Sequence, residues 1–267
     1  MMANKTRLLS VTVLLGGGIT ALLRLLQNRY GFDADTELPV SSPFSYLLPL
    51  FLLLLAGVLA VLVRGFPGET EDTPGEFPDY FSDRSSIPTT LLLAGVLLWV
   101  LSGVYALYAG FAITFSRIGM IFGILLAASA ACLFPIAIHC RRGKHAPAKP
   151  WDVELLLLPV AYLVLRLVFT YRTLSINPIL SSYYPELLAV SFLILCLYRA
   201  SSFAFHNGRT RRFLFYSGLS FALCAATALD GQDLGSLLFY AGGAVFSLSL
   251  LLYRMDALRQ SGAAPKG

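Results

Sequence analysis

Val153–Tyr171 reads VELLLLPVAYLVLRLVFTY, an apolar run interrupted by one arginine, Arg166, in its second half. A helix needs about 20 such residues to cross a hydrocarbon layer, so the run is long enough to span. Its arginine is the anomaly. A guanidinium at that depth costs at least about 2.5 kcal/mol, and intramembrane charges accordingly mark a partner, a wet cavity or a task.

The rest of the chain repeats the apolar pattern without the anomaly. Its 267 residues are 57% hydrophobic and 13% charged, with a mean hydropathy of +0.71. Ordinary soluble domains carry about 25% charge, and none of this length hides so much apolar surface. The apolar blocks lack the period-two alternation of a barrel strand. The fold class is therefore all-α: a polytopic transmembrane helical bundle forming a single domain over 1–267. Eight spans are predicted at about 8–27, 44–64, 88–110, 117–138, 153–171, 184–204, 212–229 and 234–254.

The net charge of +5 does not point to nucleic acid, because the cations sit mainly in short segments between apolar blocks. With the N-terminus inside, fifteen of the twenty Lys and Arg fall on inside segments. Arg29, Arg117 and Arg172 fall outside, and Arg24 and Arg166 lie within spans. The positive-inside rule then places both termini in the cytoplasm. Lys5 and Arg7 resemble a signal-peptide start, but the run that follows continues to Arg24 without a clear cleavage site, so it is read as a retained first helix.

The 65–87 segment carries six acids, Glu69, Glu71, Asp72, Glu76, Asp79 and Asp83, and repeats Pro-Gly-Glu at 67–69 and 74–76. It reads as an acidic, turn-rich cytoplasmic loop, either solvated or folded over the basic 139–149 and 206–212 loops. Small residues recur every four positions at Gly119, Gly123, Ala127 and Ala131, at Gly218, Ala222 and Ala226, at Gly17 and Ala21, and at Gly243 and Ser247. Such spacing lets helix backbones approach closely in lipid, and it predicts a compact bundle. Cys132, Cys140, Cys196 and Cys224 have no paired spacing and read as small buried thiols.

Two polar faces stand out. Thr20, Arg24 and Asn28 share one face of the first span, and Tyr162, Arg166 and Thr170 share one face of the fifth. Both arginines fall in the outer half. Arg24 is close enough to the interface to snorkel, whereas Arg166 lies deeper and calls for a buried partner or a hydrated cavity. The outer acids available are Asp33, Asp35, Glu37, Glu186, Asp230 and Asp233. Glu186 opens the sixth span after Pro185, either as a partner for Arg166 or as a first-turn acid favoured by the helix dipole. Asp230 and Asp233 flank Gly231-Gln232 and suit a tight turn. Ser217, Ser220, Cys224 and Thr227, and Trp99, Ser102, Tyr105 and Tyr108, form milder stripes whose hydroxyls are expected to bond neighbouring backbone. Arg24 before Ser41-Ser42, and Arg166 before Ser181-Ser182, hint at a 4+4 repeat that would set the two arginines face to face.

Catalytic signatures such as HExxH, G-x-S-x-G and a phosphate-binding glycine loop are absent from the sequence. His139, Cys140 and His145 have basic neighbours that disfavour a metal. No catalytic residue, metal or cofactor is expected, and the chain is not read as an enzyme. From Leu22-Leu23-Arg24 through Tyr30-Gly31-Phe32-Asp33 to Glu37-Leu38-Pro39, the chain resembles uncharacterised multi-pass plasma-membrane proteins of anaerobic Firmicutes. That resemblance implies a bacterial plasma membrane and assigns no activity.

The functional expectation is binding or transport of a small polar or anionic solute through an outer pocket lined by Arg166 and Arg24, with Tyr162, Thr170 and Glu186. An alternative is a structural or regulatory membrane subunit whose basic cytoplasmic loops meet a protein partner. A third reading, an enzyme acting on lipid through acids near 230–233, lacks motifs. The expected partners are the lipid bilayer and a small anionic solute, with no nucleic acid.

Overall fold

The computed structural model describes residues 2–32, 43–66, 80–81, 86–113, 115–136, 154–176, 180–203, 205, 207–230 and 233–263. Most of the acidic 65–87 segment, Asp33, Asp35, Glu37, Ser41-Ser42 and the three histidines lie outside the described residues. In a hydrocarbon layer every backbone N–H and C=O must be satisfied within the segment, so apolar runs of this length become helices. Among the described residues eight α-helices form: α1 (Met2–Tyr30), α2 (Pro43–Val63), α3 (Ser86–Tyr108), α4 (Arg117–Ala131), α5 (Leu157–Leu174), α6 (Leu180–Ser202), α7 (Thr210–Thr227) and α8 (Leu234–Ala263). Among the described residues, seven of these are long and apolar enough to cross a membrane.

The exception is α7, which opens on the exposed Arg211 and Arg212 and is otherwise largely buried. Twelve of its eighteen residues are buried, among them Ser217, Gly218, Ser220 and Thr227. It packs on α1, α2, α6 and α8, so its surface meets other helices and can be small and polar. Ser217 Oγ donates to the Ser247 carbonyl at 2.7 Å, and Ser220 and Ser247 hydroxyls lie 2.9 Å apart. The sequence stripe on this helix is thus a helix-to-helix seam.

Helices α3 through α8 close a ring in which each packs on the next and α8 returns to α3. Helices α1 and α2 lean on α7 from outside that ring. The α3–α8 seam is the most extensive: Trp99 Nε1 donates to the Phe239 carbonyl at 3.0 Å, and Ser102 Oγ to the Gly235 carbonyl at 2.7 Å. Gly95 permits this approach, since an added Cβ would lie 3.0 Å from the Phe246 nitrogen and 3.1 Å from the Gly242 carbonyl.

The helices alternate in direction. Arg259 Nε reaches the Thr6 hydroxyl at 2.7 Å, and Lys5 Nζ reaches the Gly65 carbonyl at 3.2 Å. The start of α1 and the late turns of α8 therefore share one end of the bundle. That end is closed by an aromatic knot in which Phe81 meets Phe203 and Phe213 edge-on at 5.3 and 5.5 Å.

Several boundaries differ from the predicted ones. Helix α8 runs to Ala263 because its last turns bury Met255 and Leu258 and hold Arg254 and Asp256 in contacts. Helix α6 begins at Leu180, so Glu186 lies well inside it and is not the first-turn acid of the sequence reading. Helix α5 starts at Leu157, with Pro159 in its first turn, where a missing N–H costs nothing.

Candidate functional site

At the end of the bundle opposite the termini, the two intramembrane arginines have different fates. Arg24 is 3% exposed and Asp230 6% exposed by side chain. Arg24 Nε and Nη2 donate to Asp230 Oδ1 and Oδ2 at 2.5 and 3.1 Å, and Nη1 donates to Gln27 Oε1 at 2.8 Å. Asn28 Nδ2 adds a bond to Asp230 Oδ1 at 3.1 Å. This forked geometry is the strong form of an arginine–carboxylate contact. Arg24 is therefore an internal ion pair joining α1 to the α7–α8 turn, and it does not snorkel. Asp230, which suits a turn by sequence, also supplies the counter-charge. Asp233 keeps the turn role alone, accepting from the Gly235 nitrogen at 3.1 Å.

Arg166 has no ion pair among the described residues. Its one hydrogen bond there is long, Nη1 to Tyr162 Oη at 3.4 Å, and its buried Nε has no partner. The guanidinium instead lies over the Phe239 ring, 3.8 Å from the centroid, with Tyr240 at 5.7 Å. A cation on an aromatic face is worth about 0.5–2 kcal/mol, which leaves its hydrogen-bonding capacity largely unspent. Phe239 is itself stacked on Trp99 at 5.7 Å. The arginine thus sits at the end of a rigid Trp99–Phe239 stack.

Beside it is an open cleft of about 320 Å³ between α4, α5 and α6, with Arg166, Thr170 and Glu186 in its wall. Glu186 Oε1 accepts from Tyr240 Oη at 2.7 Å. Apolar side chains, including Ile118, Phe122 and Phe169, form most of the remaining surface, and Phe122 and Phe169 meet edge-on at 4.8 Å across the α4–α5 seam. Above the seam, α3 ends in a π-helical turn, Ala109–Ile113, and Phe115 adopts φ 49° before Ser116 caps α4 through the Gly119 nitrogen. A bulky residue at positive φ is a costly conformation, and π-turns are frequent near functional sites.

Of the residues singled out by sequence, Arg166, Thr170 and Glu186 line the cleft, and Tyr162 stands behind Arg166. Arg24 does not line it. The two arginines are not matched across a repeat axis in their contacts, since one faces a carboxylate and the other an aromatic ring. Phe239 and Tyr240 give no sequence signal, because an aromatic pair in an apolar helix looks like any core pair. Arg254 was also missed. It reads as a topology charge, but it is 6% exposed, bonded to Thr210 Oγ1 at 2.6 Å and the Tyr80 carbonyl at 3.2 Å. Cys196 and Cys224 are buried free thiols, as expected, whereas Cys132 is half-buried and Cys140 lies outside the described residues; no His, Cys, Asp and Glu group among the described residues could hold a metal. No known protein family, curated protein or solved structure matches the chain.

Proposed function

We propose that this is an eight-span protein of a bacterial plasma membrane, with both termini cytoplasmic, that binds and moves a small polar or anionic solute through the Arg166 cleft. The observation that carries the reading is the contrast between the two arginines. Arg24 is saturated by Asp230, whereas Arg166 faces an open cleft with its Nε unpartnered. A guanidinium held ready on a rigid aromatic stack is suited to a carboxylate or phosphate-like group. Helix α7, flanked by spanning neighbours, is read as the eighth crossing.

Trp99 offers the test, because it stacks on the ring that carries Arg166. With Trp151→Phe removing the only other tryptophan, emission of the purified chain should change saturably on titration with 4-methylpentanoate, phosphate or sulfate. The change should vanish in Arg166→Gln. An unchanged spectrum with all three anions, or an identical response in the variant, sinks the reading.

The alternative, a structural or regulatory subunit, draws support from Arg211 and Arg212, which are exposed at the start of α7. Its mark is a co-purifying protein lost on charge reversal at Arg209, Arg211 and Arg212.

A further inference from the structure

The cleft holds both signs of charge. Arg166 and Glu186 are both in its wall, yet Arg166 forms no ion pair among the described residues, and Glu186 Oε1 accepts from the Tyr240 hydroxyl at 2.7 Å. The Tyr240 ring lies 5.7 Å from the guanidinium, so one tyrosyl group spaces the carboxylate from the arginine. The cleft thus presents a guanidinium and a carboxylate in one wall. A simple anion would satisfy Arg166 while bringing a like charge toward Glu186, and a simple cation would do the reverse. Like-charge contacts of that kind are a strong means of rejection.

We propose that the cleft selects a small zwitterion with an apolar body, its anionic group on Arg166 and its ammonium at Glu186. This rests on the Arg166 cleft being the ligand site. Three features converge on that class. The wall carries one guanidinium and one carboxylate, the two groups that a molecule with its own opposite charges can meet at once. The apolar wall of Ile118, Phe122 and Leu174 provides a surface for a hydrocarbon portion, and Thr170 and Thr173 also line the cleft. The volume of about 320 Å³ is at the small end of ligand pockets, which run from roughly 300 to 1,000 Å³. An apolar amino acid has this chemistry, and so does the ethanolamine phosphate headgroup of a phospholipid.

The experiment uses the full chain with Trp151→Phe in maltoside micelles and reads Trp99 emission. Leucine should produce a saturable change, and 4-methylpentanoate, which has the same body without the ammonium, should bind about tenfold or more weakly, the loss of one hydrogen bond to a charged group. Glu186→Gln keeps an acceptor for Tyr240 and should erase that preference, while Arg166→Gln should erase both responses. Phosphatidylethanolamine added to the micelles separates the sources. If it displaces leucine, or alone gives the Arg166-dependent change, the headgroup is the source, and if leucine binds unaffected by it, a free solute is. Equal binding of leucine and 4-methylpentanoate, or a response to anions alone, overturns the zwitterion while leaving the anion site standing. No Arg166-dependent response to any probe overturns both.

Discussion

Removing the Asp230 carboxylate would leave Arg24 buried beside an empty position, since both its Nε and Nη2 donate there. Stripping one partner from a buried pair costs about 3–5 kcal/mol, whereas replacing both by apolar groups is often close to neutral. Asp230→Leu should therefore lower the thermal unfolding midpoint in detergent sharply, and Arg24→Leu with Asp230→Leu should recover most of the loss. A double variant as unstable as the single one would remove the pair from its structural role. Arg166→Met should behave differently, costing no more than the roughly 0.5–2 kcal/mol of its contact with Phe239, because no carboxylate is stranded when it goes. The same measurement on Arg166→Met checks this. The cost of an arginine in an apolar run made both residues legible in the sequence. Their opposite fates were not legible, because Asp230 is explained equally well by its turn and nothing in a linear pattern sets Phe239 of α8 under a guanidinium on α5, three helices earlier.

At the scale of the helix, the small residues divide by what a Cβ would strike. At Gly123 it would lie 2.9 Å from the Gly103 carbonyl and 2.9 Å from the Leu107 nitrogen, backbone atoms that cannot step aside. At Gly57 it would meet nothing within 4 Å. Gly123→Ala should thus force α3 and α4 apart and destabilise by about 1–3 kcal/mol, the usual cost of overpacking. Gly57→Ala should be neutral or stabilise by about 0.5–1 kcal/mol through helix propensity. Thermal unfolding of the two variants side by side decides it, and equal midpoints would refute the seam. The four-residue spacing on α4 was readable and does mark a contact. Gly95 and Gly103 on α3 were not singled out, although Gly95 sets the approach to α8. Their eight-residue spacing skips the intermediate position, so the repeat is visible only once the partner helices are known. The central burial of α7 is likewise a property of its neighbours more than of its own sequence.

Across the whole molecule, charge is sorted by end. Lys5, Arg211, Arg254 and Arg259 gather where α1 begins and α8 ends, and the first two donate to the carbonyls of Gly65 and Phe66. Arg24 and Arg166 lie toward the other end, near the start of α6, where Tyr184 and Glu186 approach their respective clusters. An up-and-down arrangement follows from successive apolar blocks, which is why this much of the fold could be read directly. The ring order could not, since α3 packs on α8 from the far end of the chain and periodicity carries no information on partners. If the basic end faces the cytoplasm, as the positive-inside rule requires, a membrane-impermeant thiol reagent on intact cells should label a cysteine placed at Arg172 and leave one placed at Asn4 unlabelled until the membrane is permeabilised. Both positions are exposed, so reactivity reports sidedness and not burial. The background comes from Cys132, Cys140, Cys196 and Cys224 and is removed by replacing all four with alanine. The reverse labelling pattern would invert the protein and move the Arg166 cleft to the cytoplasmic half, where the solute it meets would be an internal one.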